Sequence, residues 1–184
     1  IRSDEYYLKE FKGLLDYRLK RIEQVSIPMD GEVPLDVYCS YSRNQILSAF
    51  NHKDPSNMQE GVYYSREYNT DILLVTLKKT EKLYTPTTMY KNYAINPYKF
   101  HWESQNKTTT ESESGKRYIN SSSNVLLFVR ESKVDMYNMT PPYTFLGPVK
   151  IESHRGNKPM EIVWKMKYRI PARFIEELTR GLAI

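Results

Sequence analysis

A chain of 184 residues with 40% hydrophobic residues is long enough to bury a core and too apolar to be a disordered segment. One cysteine, Cys39, excludes an internal disulfide framework and a cysteine zinc site, and the scattered His52, His101 and His154 make no metal-ligand pattern. The net charge of +5 is unevenly spread: residues 1–39 hold six basic against eight acidic residues, the remainder 21 against 14. A basic body favours a polyanionic partner, because each neutralised phosphate releases counterions. The longest apolar run falls far short of a membrane span and no signal peptide is visible, so no membrane partner and a reducing, cytoplasmic setting are expected. Ile1 in place of an initiating methionine suggests a segment of a longer chain.

Residues 4–24 place Leu8, Phe11, Leu15, Leu19 and Ile22 at three- and four-residue spacing with charge between them, which predicts an amphipathic helix capped by Asp4. Its acidity suits an arm from a preceding domain. Ile27 to Asp36, with Pro28, Gly31 and Pro34, reads as a linker. The expected organisation is an arm and linker over 1–37 and a folded domain over 38–184. Ser42 followed three residues later by Gln45 is a capping box that opens a short helix through Ile46, Leu47, Ala49 and Phe50.

From there the texture is that of strands. Gly61–Tyr68 and Asp71–Lys78 flank an Asn69-Thr70 turn and predict a hairpin. Ile72, Leu74 and Thr76 alternate with Leu73, Val75 and Leu77, so the second strand is apolar on both faces and central. Phe100–Glu103 and Lys116–Asn120 read as short strands around a polar loop over Ser104–Gly115. Val125–Glu131, Tyr143–Ser153 and Met160–Tyr168 are further strands, the last two joined by a turn over His154–Asn157. Pro171 and Gly181 bound a final helix over Ala172–Arg180. The expected fold class is α+β: a curved, mostly antiparallel sheet or barrel with flanking helices.

Sixteen tyrosines are present, and those between Tyr84 and Tyr98 are the most unusual. The segment Tyr84–Asn106 interleaves Tyr84, Tyr90, Tyr93, Tyr98, Phe100 and Trp102 with Thr87, Thr88, Asn92, Gln105 and Asn106. Its periodicity is irregular and two prolines break its path, so not every ring can point inward. Aromatics and amides together hold a planar base between rings and read its edge; the competing reading is a long loop tucked over the sheet by its own rings. A second constellation is Asp71 at one strand start with Glu131 and Lys133 at another strand's end, the residue types of a metal-dependent nuclease. His101-Trp102-Glu103 has no ordered partner that would make His101 a general base. No phosphate loop, nucleophile elbow or ATPase motif is present.

The stretches YSRNQILSAF, TDILLVTLKKTEKLYTPTTMY, FHWESQN, SGKRYI, VLLFVRE and PYTFLGPV resemble, in the same order, a domain of unassigned function found after DEAD/DEAH helicase cores. The functional relative is the target-recognition domain of the SauUSI type IV restriction enzymes. That resemblance implies a reader of 5-methylcytosine or 5-hydroxymethylcytosine with an SRA-like fold, a twisted barrel holding a flipped base. It implies double-stranded DNA as partner, helicase and nuclease domains of the same parent chain as neighbours, and no cofactor or catalysis in this domain. Residue type and position, rather than the resemblance, suggest the roles. Trp102 with Tyr90 or Tyr93 would stack on the base, Asp71, Gln105 and Asn106 would read its edge, and Thr87, Thr88 and Ser104 would line the methyl group or bond phosphate. Lys91, Arg117 and Arg155 would hold the DNA backbone. The rivals are a sequence-tolerant DNA clamp, the nuclease of Asp71, Glu131 and Lys133, and a protein-docking module built on the helix over 4–24.

Overall fold

The computed structural model describes residues 2–29, 33–57, 60–77 and 92–175, and within its first helix the side chains of 4–16. That helix, α1 (Arg2–Val25), leads to two short paired strands, β1 (Ile27–Pro28) and β2 (Asp36–Val37), where a plain linker was expected. There follow β3 (Ser40–Tyr41), α2 (Arg43–Ala49), β4 (Val62–Ser65), β5 (Thr70–Thr76), β6 (Tyr93–Asn96) and β7 (Lys99–Glu103). The chain continues through α3 (Glu113–Ile119), β8 (Asn124–Arg130), β9 (Tyr143–Arg155) and β10 (Glu161–Met166). Of the final predicted helix, Arg173–Ile175 form a helical turn, and residues 176–180 lie outside the described range.

The fold is α+β. One sheet runs β4-β5-β8-β9-β10-β7-β6, with β3 added alongside β9. Its pairings are antiparallel except β5 with β8, which run parallel from Thr70 against Asn124 to Thr76 against Arg130. The expected hairpin is present, β4 pairing β5 from Ser65 against Thr70 to Val62 against Leu73. The sheet is open, with β4 and β6 as its two ends, and does not close into the barrel that the resemblance implies.

Both faces are apolar, as the alternation in β5 predicts. Ile72 and Leu74 join Leu126, Phe128 and Phe145 in one core, and Leu73 and Val75 join Leu127, Val129 and Leu146 in another. A strand buried on both faces needs cover on both. Helix α2 supplies it on the first face through Ile46 and its C-cap residue Phe50. Its capping box forms as expected, the Gln45 backbone N donating to Ser42 Oγ at 3.2 Å and the Ser42 backbone N to Gln45 Oε1 at 2.8 Å. On the second face Tyr118 of α3 packs into a core that also holds Phe100 and Trp102 of β7 and Ile162 and Trp164 of β10. Strands β5 and β7 are separated by three others yet share this core, so the sheet curls around it. The bend passes through β9, where Leu127 pairs Gly147 but Phe128 pairs Phe145, leaving Leu146 as the extra residue of a bulge. Gly147 has φ +93, and a Cβ there would stand 2.7 Å from the Tyr168 ring.

One element departs in kind from expectation. Of residues 116–120, read as a strand, 116–119 belong to α3 and Asn120 is its C-cap. Ser112 decides this locally: its Oγ accepts from the Gly115 backbone N at 3.2 Å, and its carbonyl accepts from the Lys116 backbone N at 2.9 Å. The buried positions Gly115 and Tyr118 then fall at helical spacing. Ser112→Ala removes this N-cap and is expected to cost about 1 kcal/mol, read as a lower denaturant midpoint with an unchanged slope.

Candidate functional site: a polar cleft at the sheet edge

Asp71 lies at the start of β5, fully buried. A carboxylate there must be paired and hydrogen-bonded to be tolerated. Arg117 of α3 meets it with two parallel bonds, Nε to Oδ2 and Nη2 to Oδ1, each 2.9 Å. Ser123 Oγ donates to Oδ2 at 2.6 Å. Ser123 reaches it because parallel pairing sets Asp71 against Val125, at the same end of the sheet. Tyr64 is the residue opposite Asp71 on β4, and its ring lies 3.7 Å below the Arg117 guanidinium carbon. Hydrogen bonding to Asp71 holds the Arg117 pKa above its already high ordinary value.

In front of Arg117 opens a cleft of about 360 Å³ between the β4 edge, α3 and the loop 104–112, with Tyr64, Gln105, Glu113 and Arg117 in its walls. Lys107 and Glu60, also in its lining, form an ion pair at 2.7 Å that ties the loop to the strand edge. The loop is held from behind. Ser104 is fully buried, and its Oγ accepts from the Met160 backbone N at 2.9 Å while its own N donates to the Met160 carbonyl. Gly115 lets the loop lie against α3, since a Cβ there would stand 1.9 Å from the Thr109 carbonyl oxygen.

The predicted site residues are thus divided. Gln105 and Arg117 line the cleft, with Asp71 directly behind Arg117. Asp71 has both oxygens engaged by protein donors, so its place is that of an anchor rather than an edge reader. Arg117, expected as a backbone contact, is tied to Asp71 and lines the cleft. Ser104 spends its hydroxyl on the protein backbone. Asn106 is exposed on the same loop.

Trp102 is elsewhere. It is 5% exposed, edge-on to Tyr118 with ring centres 5.8 Å apart, and tilted against Trp164 at 6.1 Å. Those contacts leave it no open face for a base. Tyr93 stacks on His101 at 4.6 Å, on β6 and β7. Beside it Glu161 Oε2 accepts from Arg155 Nε and Nη2 at 2.9 and 2.6 Å and lies 3.2 Å from His101 Nε2. Arg155 and His101 together hold the Glu161 carboxyl below its usual range. Arg155 itself is largely exposed on the projecting end of β9. Thr87, Thr88, Tyr90 and Lys91 lie outside the described residues.

The three residues of the nuclease constellation are not brought together. Asp71 pairs Val125 at one end of β8, and Glu131 follows six residues later at the other end, about 20 Å away at the rise of a strand. Among the described residues no group of three or more His, Cys, Asp or Glu side chains is placed to hold a metal ion. None of their helices is long and apolar enough to cross a membrane.

Tyr64, Lys107, Glu60 and Glu113 escaped the sequence reading. Tyr64 was detectable in principle, sitting opposite Asp71 once the hairpin register is drawn. Glu113 was hidden in the segment read as a polar loop, because only a helix after Ser112 brings it to the cleft.

Fold and site together define an α+β domain on an open, curled, mixed sheet with a polar cleft at one edge. Residues 35–178 match the family described as domain of unknown function (DUF3427), and the chain belongs to that family. No curated protein matches it.

Two substitutions test these placements. Trp102→Ala is expected to lower unfolding free energy by about 3–5 kcal/mol, as for a buried indole, in chemical denaturation. Asp71→Ala, which strands the Arg117 cation, is expected to cost about 3–5 kcal/mol, with Asp71→Asn the milder change by the same measurement.

Proposed function

We propose that this domain reads modified cytosine, 5-methylcytosine or 5-hydroxymethylcytosine, in double-stranded DNA. It does so for helicase and nuclease domains of the same parent chain and carries no catalysis of its own. The observation that supports the reading best is the cleft. Its volume of about 360 Å³ is that of a small-ligand site, and it combines a tyrosine ring, an anchored guanidinium, an amide and a carboxylate. A base turned out of the duplex offers both its faces and its whole hydrogen-bonding edge to such a set. The basic excess of the chain beyond residue 39 suits the phosphates on either side.

The pocket differs in membership from the one that residue types alone suggest. Tyr64, in the cleft wall, takes the place of Trp102 as the aromatic surface, and Arg117, stacked on it at 3.7 Å, supplies donors to the cleft. Arg155, exposed on the β9 end, remains a candidate backbone contact.

The test is equilibrium binding of the chain to matched duplexes that differ only at one cytosine C5 position, over a range of salt. Affinity is expected to fall linearly in log–log form as salt rises, with the modified duplex bound more tightly throughout. Binding that is absent at low salt, or indifferent to salt, overturns the DNA reading. Equal affinity for modified and unmodified duplexes reduces the domain to a sequence-tolerant clamp.

A further inference from the structure

A guanidinium has two pairs of parallel donors: a side-on pair from Nε and one Nη, and an end-on pair from the two Nη atoms. Asp71 occupies the side-on pair of Arg117, through Nε and Nη2. Tyr64 covers one face at 3.7 Å. The carboxylate that holds Arg117 is fully buried and further fixed by Ser123. Arg117 is therefore aimed before any ligand arrives, and what it leaves for the cleft is the end-on pair. A donor pair fixed in advance asks for a ligand with two neighbouring acceptors and saves the cost of ordering it on binding.

The charges around it say which kind of ligand. Asp71 offsets Arg117, and Glu60 offsets Lys107 across a 2.7 Å ion pair. Glu113 is left over in the lining. With that balance the cleft is no trap for phosphate or any other anion, and it suits a neutral, planar, polar group. Glu113 adds an acceptor to the two donors of Arg117. A cytosine ring carries the matching edge: O2 and N3 accept side by side, and the N4 amino group donates. Thymine carries the methyl group too, but presents a donor at N3 and an acceptor at O4, which opposes donor to donor and acceptor to acceptor.

The geometry points to Arg117 as the residue that sets base identity in the cleft: its end-on pair donates to O2 and N3 of a cytosine-type base while Glu113 accepts from the N4 amino group. This rests on the proposal that a base enters the cleft. It assigns recognition of the cytosine edge to Arg117 and Glu113, separately from whatever surrounds C5.

The experiment uses the full chain and duplexes carrying cytosine, 5-methylcytosine, thymine or 5-methyl-2-pyrimidinone at one position. Each is placed opposite an abasic site so that lost pairing does not differ between them. Thymine is expected to weaken binding about tenfold or more relative to 5-methylcytosine, the scale of one good bidentate contact. The pyrimidinone, which lacks the amino group, is expected to bind wild type more weakly than 5-methylcytosine. It is expected to bind Glu113→Ala as 5-methylcytosine does. Arg117→Lys keeps a cation against Asp71 but removes the donor pair, and is expected to abolish discrimination against thymine. Should that variant melt early, Glu113→Ala, at an exposed position, carries the test. If 5-methylcytosine is bound no better than cytosine, the functional reading fails and this inference with it. If 5-methylcytosine is preferred but thymine binds equally well, or Glu113→Ala weakens the amino and amino-free duplexes alike, this inference alone is overturned.

Discussion

The ion pair between the buried Asp71 and the half-buried Arg117 is the contact through which fold and cleft depend on one another. It joins the start of β5 to α3 across 46 residues of sequence, at a point where the carboxylate has no access to water. Burying two charges is expensive, and the attraction between them returns the cost only with good geometry and satisfied lone pairs. Here the geometry is bidentate and Ser123 takes a further lone pair of Oδ2. Apolar residues in both places would leave the fold about as stable, whereas losing one partner is costly. What the pair contributes is direction: it determines which side chain of α3 faces the β4 edge, and therefore what stands in the cleft wall.

The rest of the cleft follows from two close approaches. Gly115 lets the loop 104–112 touch α3, and Ser104 anchors the start of that loop to Met160 through paired backbone and hydroxyl bonds. Tyr118, one residue beyond Arg117, is driven into the core, where its ring meets Trp102 and Trp164 edge-on. Burial pushes the Tyr118 hydroxyl well above its ordinary pKa, so it stays neutral behind the cleft. Trp102, expected to stack on a base, thus serves as footing for α3. The walls of the cleft include Tyr64, Gln105, Glu113 and Arg117 instead.

Elements set by local chemistry were legible in the sequence. The capping box at Ser42, the hairpin before Asp71, the two-faced strand β5 and the strands β7 to β10 all stand where periodicity and turn residues put them. Strand β6 was not, because Tyr93–Asn96 is short and sits among rings and prolines. Helix α3 was not, because Lys116–Asn120 is too short for its period to separate helix from strand, and the deciding signal was one serine four residues upstream. The site was legible in part: Gln105, Arg117 and Asp71 converge, but their roles depend on contacts far apart in sequence.

The sequence by itself determined an α+β domain with a central strand apolar on both faces and a basic body, because side-chain period, capping and net charge are local or additive properties. Only the tertiary structure decided that the sheet stays open, that β5 and β8 run parallel, that Trp102 is interior and that Arg117 turns inward to a carboxylate. Burial and pairing are properties of what lies across a face. Asp71 reads as a turn residue, a metal ligand or a base reader until the folded chain sets Arg117 and Ser123 against it.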